Sequence, residues 1–234
     1  MRKINKIKSL CLLTAFVFAS FGAKAQYSHL EISFFVPSFN IPTGDFGSGN
    51  NHALPLLRDN IGKDAGFGFG AGLRAAYKFD IGFGEVAPIA GVELFWNRLK
   101  SDTRDEYDNF KNGKAPFYIN LPVLFGVNYR YNLTDVFTPF AEFGFGPDFM
   151  LISSEGYDGE NGEENVLKYK PSASLAWQVG VGTYLKQHFS VGVHYYGLGN
   201  HKMRYRSSSD INIDDLGTQK RSIGSLVFRL GFHF

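Results

Sequence analysis

Ser190 and His194 are the two residues of this chain whose types best suit catalysis, as a nucleophile and a base. A serine hydrolase needs these two groups within hydrogen-bond reach of each other. Four residues along a strand, however, separate two side chains by about 13 Å. The six histidines also lack metal-ligand spacing. We therefore predict no enzymatic activity, no cofactor and no metal, with a lipid-modifying hydrolase as the one enzymatic alternative.

A second set of polar residues carries charge at positions that alternate with large apolar ones. Its main charged members are Glu31, Arg74, Glu93, Glu142 and Arg229. The rest of the set is Lys78, Asn120, Asn128, Gln178 and His194. Charges that face a narrow interior are stable only when they are paired. We therefore predict an ion-pair network, in which Glu31 lies between Arg74 and Arg229.

The elements that would carry these residues are β-strands. Side chains alternate with a period of two in eight segments: 29–37, 66–79, 86–97, 117–130, 137–151, 172–185, 189–196 and 225–234. One face of these segments is almost continuously large and apolar, while the other mixes glycine with polar groups. Such alternation predicts strands, and no segment shows a helical period.

The connections between the strands alternate between long and short. Long polar segments follow every odd-numbered strand, at 39–64, 99–115, 153–170 and 199–220, whereas short turns lie at 80–85, 131–135 and 186–188. Outer-membrane barrels have this pattern of long extracellular loops and short periplasmic turns. We predict an all-β fold, an eight-stranded antiparallel up-and-down transmembrane β-barrel with both ends in the periplasm. A soluble β-sandwich would also alternate, but its outward face would be polar.

In such a barrel the apolar face contacts lipid and the charged set fills the lumen. Eight-stranded barrels enclose just enough space for side chains or for one small ligand. The charged network is therefore predicted to plug the lumen. A polar path for a small solute, in a narrow channel or carrier, remains the alternative.

The N-terminal residues have the composition of a signal peptide. Four basic residues stand among the first eight, the apolar segment 10–21 follows, and a small-x-small cleavage site lies at 23–25. We predict that residues 1–25 are removed and that residues 26–234 form the barrel domain in the outer membrane. The alternative is a membrane anchor, although the apolar run is shorter than the ~20 residues of a spanning helix. The only cysteine, Cys11, lies inside this segment.

The chain ends in a strand pattern, and its last residue is Phe234. A terminal aromatic residue after such alternation resembles the signal that the barrel-assembly machinery reads. We therefore predict that Phe232 and Phe234 form a barrel-assembly signal and that this machinery is a partner.

The charge distribution bears on the other partners. A formal net charge of +2 gives no indication of nucleic-acid binding. Lys202, Arg204 and Arg206 fall near the predicted strand tops, where they would meet lipid phosphates. We therefore predict that outer-membrane lipid and lipopolysaccharide are partners, and that protein partners remain open.

Two stretches carry a resemblance to a known family. "FYINLPVLFGVNYRYN" has an aromatic-x-x-x-Pro strand at Tyr118 and Pro122, and "FTPFAEFGFGPDFML" has a Pro-aromatic-x-x-x-Gly strand starting at Pro139. Both are similar to the small outer-membrane β-barrels common in Bacteroidota, of the PorT and OmpA/OmpX kind. The resemblance implies a fold and a location, because members of this family do not share one activity. It leaves a structural or interaction role, a channel, and an accessory role in protein secretion as possible functions.

Overall fold

A computed structural model describes residues 29–43, 65–99, 101–108, 113–134, 136–158, 164–186, 188–207 and 219–234. Within these ranges the strands are β1 (Leu30–Thr43), β2 (Ala65–Tyr77), β3 (Phe79–Asp80), β4 (Glu85–Leu99), β5 (Phe117–Arg130), β6 (Phe137–Ile152), β7 (Glu155–Asp158), β8 (Glu164–Tyr169), β9 (Ser172–Leu185), β10 (Phe189–Met203), β11 (Tyr205–Ser207) and β12 (Gln219–His233). One helix, α1 (Ser101–Asp108), follows β4. The predicted signal peptide at 1–25 lies outside the described residues.

Eight of these strands form a closed antiparallel ring. Each pairs with its chain neighbour in the order β1, β2, β4, β5, β6, β9, β10 and β12, and β12 pairs back to β1. The two-residue β3 continues along β4 beyond the end of β2. Ring closure leaves no unpaired sheet edge, which a membrane interior would not tolerate. The predicted eight-stranded up-and-down barrel is confirmed.

The two faces of the ring differ as the alternation predicts. Large apolar side chains point outward and are exposed, as Phe67 and Leu175 are at 73% and 71%. The same holds for the outward residues of the last strand, from Phe228 to Phe234. Charged and amide side chains point inward and are buried. No helix in the described ranges is both long and apolar enough to cross a membrane.

The strands reach further than the alternation indicates at the end where the long connections lie. β10 continues to Met203 and β12 begins at Gln219, although segments 199–220 are predicted as a loop. Residues 153–170 are also predicted as a loop, yet they contain β7 and β8, which form a three-stranded sheet with β11. These segments extend outside the membrane, where no lipid requires an apolar outer face, so the alternation typical of membrane strands is lost. The eight-residue α1 lies in segment 99–115, which is also predicted as a loop, and is a further correction.

The lumen is divided into two halves of different character. Its short-turn half holds the arginine–glutamate pairs. Its long-loop half holds a cluster of buried apolar residues that includes Phe95, Tyr118 and Met150. Leu167 and Tyr169 of β8 belong to the same cluster and are 0% and 7% exposed. The β7–β8 hairpin therefore packs Leu167 and Tyr169 against the apolar side chains of the long-loop half.

Candidate functional site in the barrel lumen

Glu142 of β6 is the centre of the charged half of the lumen. Arg74 of β2 donates to both of its carboxylate oxygens, at 2.5 and 2.9 Å, and Arg229 of β12 donates to Oε1 at 2.9 Å. Asn128 and Gln178 add hydrogen bonds of 3.0 and 3.1 Å. One buried carboxylate on β6 therefore joins side chains from four other strands across the barrel.

Glu93 of β4 extends this centre toward the apolar half. Arg229 donates to it at 2.6 Å, and the Arg74 guanidinium lies 3.7 Å away. Tyr196 donates its hydroxyl to Glu93 at 2.8 Å and also accepts a hydrogen bond from Arg229. The Phe35 ring lies 4.8 and 4.4 Å from the Arg74 and Arg229 guanidinium carbons. Hydrogen bonds and an aromatic face thus fix both guanidinium groups in place.

Glu31 of β1 forms a second centre at the short-turn end. Arg130 of β5 binds its two oxygens at 2.6 and 2.7 Å. Ser33 and His233 Nδ1 lie 3.2 and 3.1 Å from Oε1, and Lys78 Nζ lies 3.8 Å from Oε2. This bidentate arginine–carboxylate pair is the strongest polar geometry available to a buried carboxylate.

The structure therefore brings together four of the five predicted network residues, Arg74, Glu93, Glu142 and Arg229. The prediction that Glu31 lies between Arg74 and Arg229 is wrong, because Glu31 pairs with Arg130. The barrel strands tilt and are staggered, so residues at equal counts from the strand ends do not lie at equal heights.

Arg130, Tyr196 and His233 are among the lumen residues that the sequence reasoning missed. A usable signal existed for each of them. Side chains an even number of residues apart on a strand lie on the same face. Arg130 is two residues from Asn128 on β5, Tyr196 is two from His194 on β10, and His233 is four from Arg229 on β12. Counting by parity to the end of each strand would have placed all three inside.

His194 joins the Glu142 centre and not a reaction site with Ser190. Its Nδ1 lies 3.0 Å from Glu142 Oε1, and its ring stacks on Phe140 at a centroid distance of 6.0 Å. The ring covers Gly180 so closely that a Cβ at this position would overlap it. Glycine at 180 therefore makes the space in which His194 packs.

Ser190 has a different histidine as its partner. Its Oγ lies 2.7 Å from His233 Nε2, and His233 Nδ1 lies 3.1 Å from Glu31 Oε1. This order of groups is that of a serine–histidine–acid relay. The relay is enclosed, however, since Ser190 is 5% exposed and the Tyr184 ring lies 4.6 Å from the His233 ring.

A third polar cluster lies in the long-loop half. His201 Nε2 is 2.9 Å from Asp148 Oδ2, to which Asn120 also donates at 2.6 Å. His201 Nδ1 lies 3.3 Å from Ser172 Oγ. The described residues contain no group of three or more histidine, cysteine, aspartate or glutamate side chains that could hold a metal ion.

The predicted assembly residues lie where the ring closes. Phe234 donates its backbone N–H to Ile32 at 2.9 Å and accepts one in return at 3.2 Å. Phe232 stands opposite Phe34 in the same pairing and contacts the Phe189 ring at 5.3 Å. Both Phe232 and Phe234 have exposed side chains on the lipid face.

A closed antiparallel ring with an apolar outside and a charged, packed inside defines the class of outer-membrane β-barrels. The sequence agrees with this class. A model of the outer membrane protein beta-barrel domain matches residues 9–227, and the chain belongs to that family. The family indicates an outer-membrane location. No curated protein sequence matches the chain.

Several solved structures are similar to this chain in architecture. Ail, the attachment invasion locus protein of Yersinia pestis, is 13% identical, with 88% of this chain and 98% of that chain covered and a TM-score of 0.43. The outer membrane protein OprG of Pseudomonas aeruginosa is 14% identical, with coverage of 88% and 96% and a TM-score of 0.45. Neisserial surface protein A is 11% identical, with coverage of 88% and 97% and a TM-score of 0.40.

Proposed function

We propose that this protein is a non-enzymatic outer-membrane barrel with a structural or interaction role, and that its lumen is closed to solutes. Two features support the closed lumen. The ion-pair network spans the short-turn half, and apolar side chains, including those of the β7–β8 hairpin, fill the long-loop half. Both halves would have to open before a solute could pass.

The observation that carries this proposal is the convergence of Arg74 and Arg229 on Glu142. These side chains come from strands β2, β12 and β6, which stand apart around the ring. A solute that crossed the barrel at this level would have to break several charge-assisted hydrogen bonds between buried groups. Such groups are costly to leave unpaired.

Planar-bilayer recording tests the closed lumen directly. We expect the purified protein to give no discrete conductance, and Lys170→Gln, which changes an exposed cation, to behave in the same way. Steady ion-selective openings that disappear in Glu31→Gln and Arg74→Gln would contradict the proposal and support a narrow channel or carrier instead.

An accessory role in protein secretion is a further alternative, which rests on the family resemblance alone. Deletion of the protein would then leave secreted cargo in the periplasm. Unchanged cargo on the cell surface of the deletion strain would remove this alternative.

A lipid-modifying hydrolase is the second candidate function, because Ser190, His233 and Glu31 have the order of a catalytic relay. In the leading proposal this relay is structural, since Arg130 occupies both Glu31 oxygens and aromatic rings cover His233. We expect no labelling of the purified barrel by a fluorophosphonate, which reacts with activated serines. Labelling that Ser190→Ala abolishes and Ser33→Ala retains would favour the hydrolase.

We also propose that residues 1–25 are a cleaved signal peptide and that the chain is one of the Bacteroidota barrels that include PorT. The basic and apolar segments support the first statement, and the stretches around Tyr118 and Pro139 support the second. The barrel-assembly machinery and outer-membrane lipid, including lipopolysaccharide, are its proposed partners. N-terminal sequencing of the membrane-inserted protein should begin at Gln26, and a start at Met1 would contradict cleavage.

A further inference from the structure

A groove interrupts the outer wall of the barrel between β9, β10 and β12. Its volume is about 490 Å³. It lies where the pairing of β10 with β12 shifts between Gly197 and Gly199. Gly199 has a φ of +83°, and a Cβ there would also collide with Ser174 on β9. The bulge and its glycines thus keep a recess open in a wall that large side chains cover elsewhere.

The groove lies at the upper edge of the apolar band. Below it, the outward residues of β10 are apolar and exposed from Phe189 to Tyr195. The outward residues are Asn200 at its upper edge and Lys202 beyond it, and both are exposed and polar. The step of eleven residues from Phe189 to Asn200 spans about 36 Å along the strand, and at a tilt of about 40° it rises roughly the ~25 Å height of the apolar band. The recess is therefore at the level of the lipid headgroups on the long-loop side.

The lining of the groove is amphipathic. The Trp177 and Tyr195 rings form its lower part, with their centroids 5.5 Å apart. The exposed residues Asn200 and Ser222 form its upper part. Indole and phenol rings favour the boundary between acyl chains and headgroups. A row of hydroxyl and amide groups directly above them suits the hydroxyl groups of a sugar.

Positive charge continues above the groove. Lys202 stands two residues beyond Asn200 on the same face, about 7 Å further along the strand. Arg204 and Arg206 follow it and are exposed. The segment 198–207 contains no acidic residue. These cations favour an anionic group of the membrane surface.

We propose that this groove binds one phosphorylated glycolipid of the outer leaflet, of the lipid A type. An acyl chain lies against Trp177 and Tyr195, the sugar meets Asn200 and Ser222, and a phosphate pairs with Lys202. Several cations above a polar shelf fit a headgroup with sugar hydroxyls and more than one phosphate. The inference depends on the outer-membrane location and not on the closed lumen, so conductance measurements leave it unaffected.

Native mass spectrometry of the folded barrel, titrated with bis-phosphorylated lipid A, tests this site. We expect one bound glycolipid, with a Kd about tenfold higher in Lys202→Glu because one phosphate contact becomes repulsive. Trp177→Ala should weaken binding as well. Arg98→Glu is the matched control, since Arg98 covers the outward Trp96 ring at 4.4 Å on another part of the wall. This variant should bind as the unmodified protein does.

Three results would overturn the proposal. The first is an equal Kd for Lys202→Glu and Arg98→Glu. The second is undiminished binding of dephosphorylated lipid A, and the third is equally tight binding of phosphatidylglycerol, which has no sugar. Heat-modifiable gel mobility establishes that each variant is folded, and exposed Lys202 can be changed without disturbing the packed interior.

Discussion

Glu142→Gln is expected to destabilise the barrel by about 3 to 5 kcal/mol, the usual effect of breaking a buried ion pair. Glutamine retains the size of the side chain but removes its charge. Arg74 and Arg229 would then share the single carboxylate of Glu93, which lies 3.7 Å from one and 2.6 Å from the other. One buried guanidinium would be left without a full counter-charge.

Urea unfolding in lipid vesicles, followed by tryptophan fluorescence, measures this change. Glu85→Gln is the control, because the Glu85 side chain is 29% exposed and lies 3.9 Å from Arg130. A partly exposed pair of this kind contributes about 0 to 1 kcal/mol. If Glu142→Gln changed the unfolding free energy no more than this control does, the network would not stabilise the fold.

A double variant separates the loss of charge balance from the loss of packing. Arg74→Gln combined with Glu142→Gln removes one charge of each sign from the lumen. We expect the double variant to be more stable than the sum of the two single changes indicates, since each single change leaves a charge unpaired. Strict additivity would contradict direct coupling between Arg74 and Glu142.

Phe234→Asp is expected to reduce the amount of assembled barrel in the outer membrane several-fold. The residue lies at the point where β12 closes against β1, and its side chain is 61% exposed on the lipid face. Near the membrane surface, a charged substitution on a barrel costs only about 0 to 1 kcal/mol of stability. A large effect would therefore reflect failed assembly and not lost lipid contact. Heat-modifiable mobility in isolated membranes measures the assembled fraction.

Phe137→Asp provides the matched control for this prediction. Phe137 is 50% exposed and begins β6 at the same short-turn end, but it is far from the C-terminus in sequence. If Phe232 and Phe234 act as an assembly signal, Phe137→Asp should leave the assembled amount nearly unchanged. Equal losses in both variants would show that any lipid-facing charge at this level is harmful.

The barrel was predictable because its strands are amphipathic over their membrane-crossing lengths. Each strand must present apolar side chains to lipid and small or polar ones to the lumen, so the period of two is plain along segments such as 117–130. For the parts of the chain outside the membrane, the alternation gives no information about secondary structure. β7, β8 and the outer part of β10 have no apolar outer face, so the alternation predicts loops there.

The sequence predicts which side chains face the lumen better than it predicts which of them form ion pairs with one another. Side-chain parity places Glu31, Arg74 and Arg229 inside, but pairing depends on strand stagger and on contacts across the barrel. The bond between Glu31 and Arg130 joins residues 99 positions apart, on strands that are not neighbours in the ring. No count along single strands contains that information.

The lumen charges also distinguish the correct register of ring closure from a shifted one. A slip of one residue between β1 and β12 would turn apolar side chains inward, so the alternation alone excludes it. A slip of two residues keeps every face correct, yet it would move Arg229 about 7 Å along its strand, away from Glu93 and Glu142. Buried charges would then be unpaired on both sides of the junction between β1 and β12. The ion pairs therefore favour the observed register of β1 and β12 over a two-residue slip. Lipid contact alone would not distinguish these two registers.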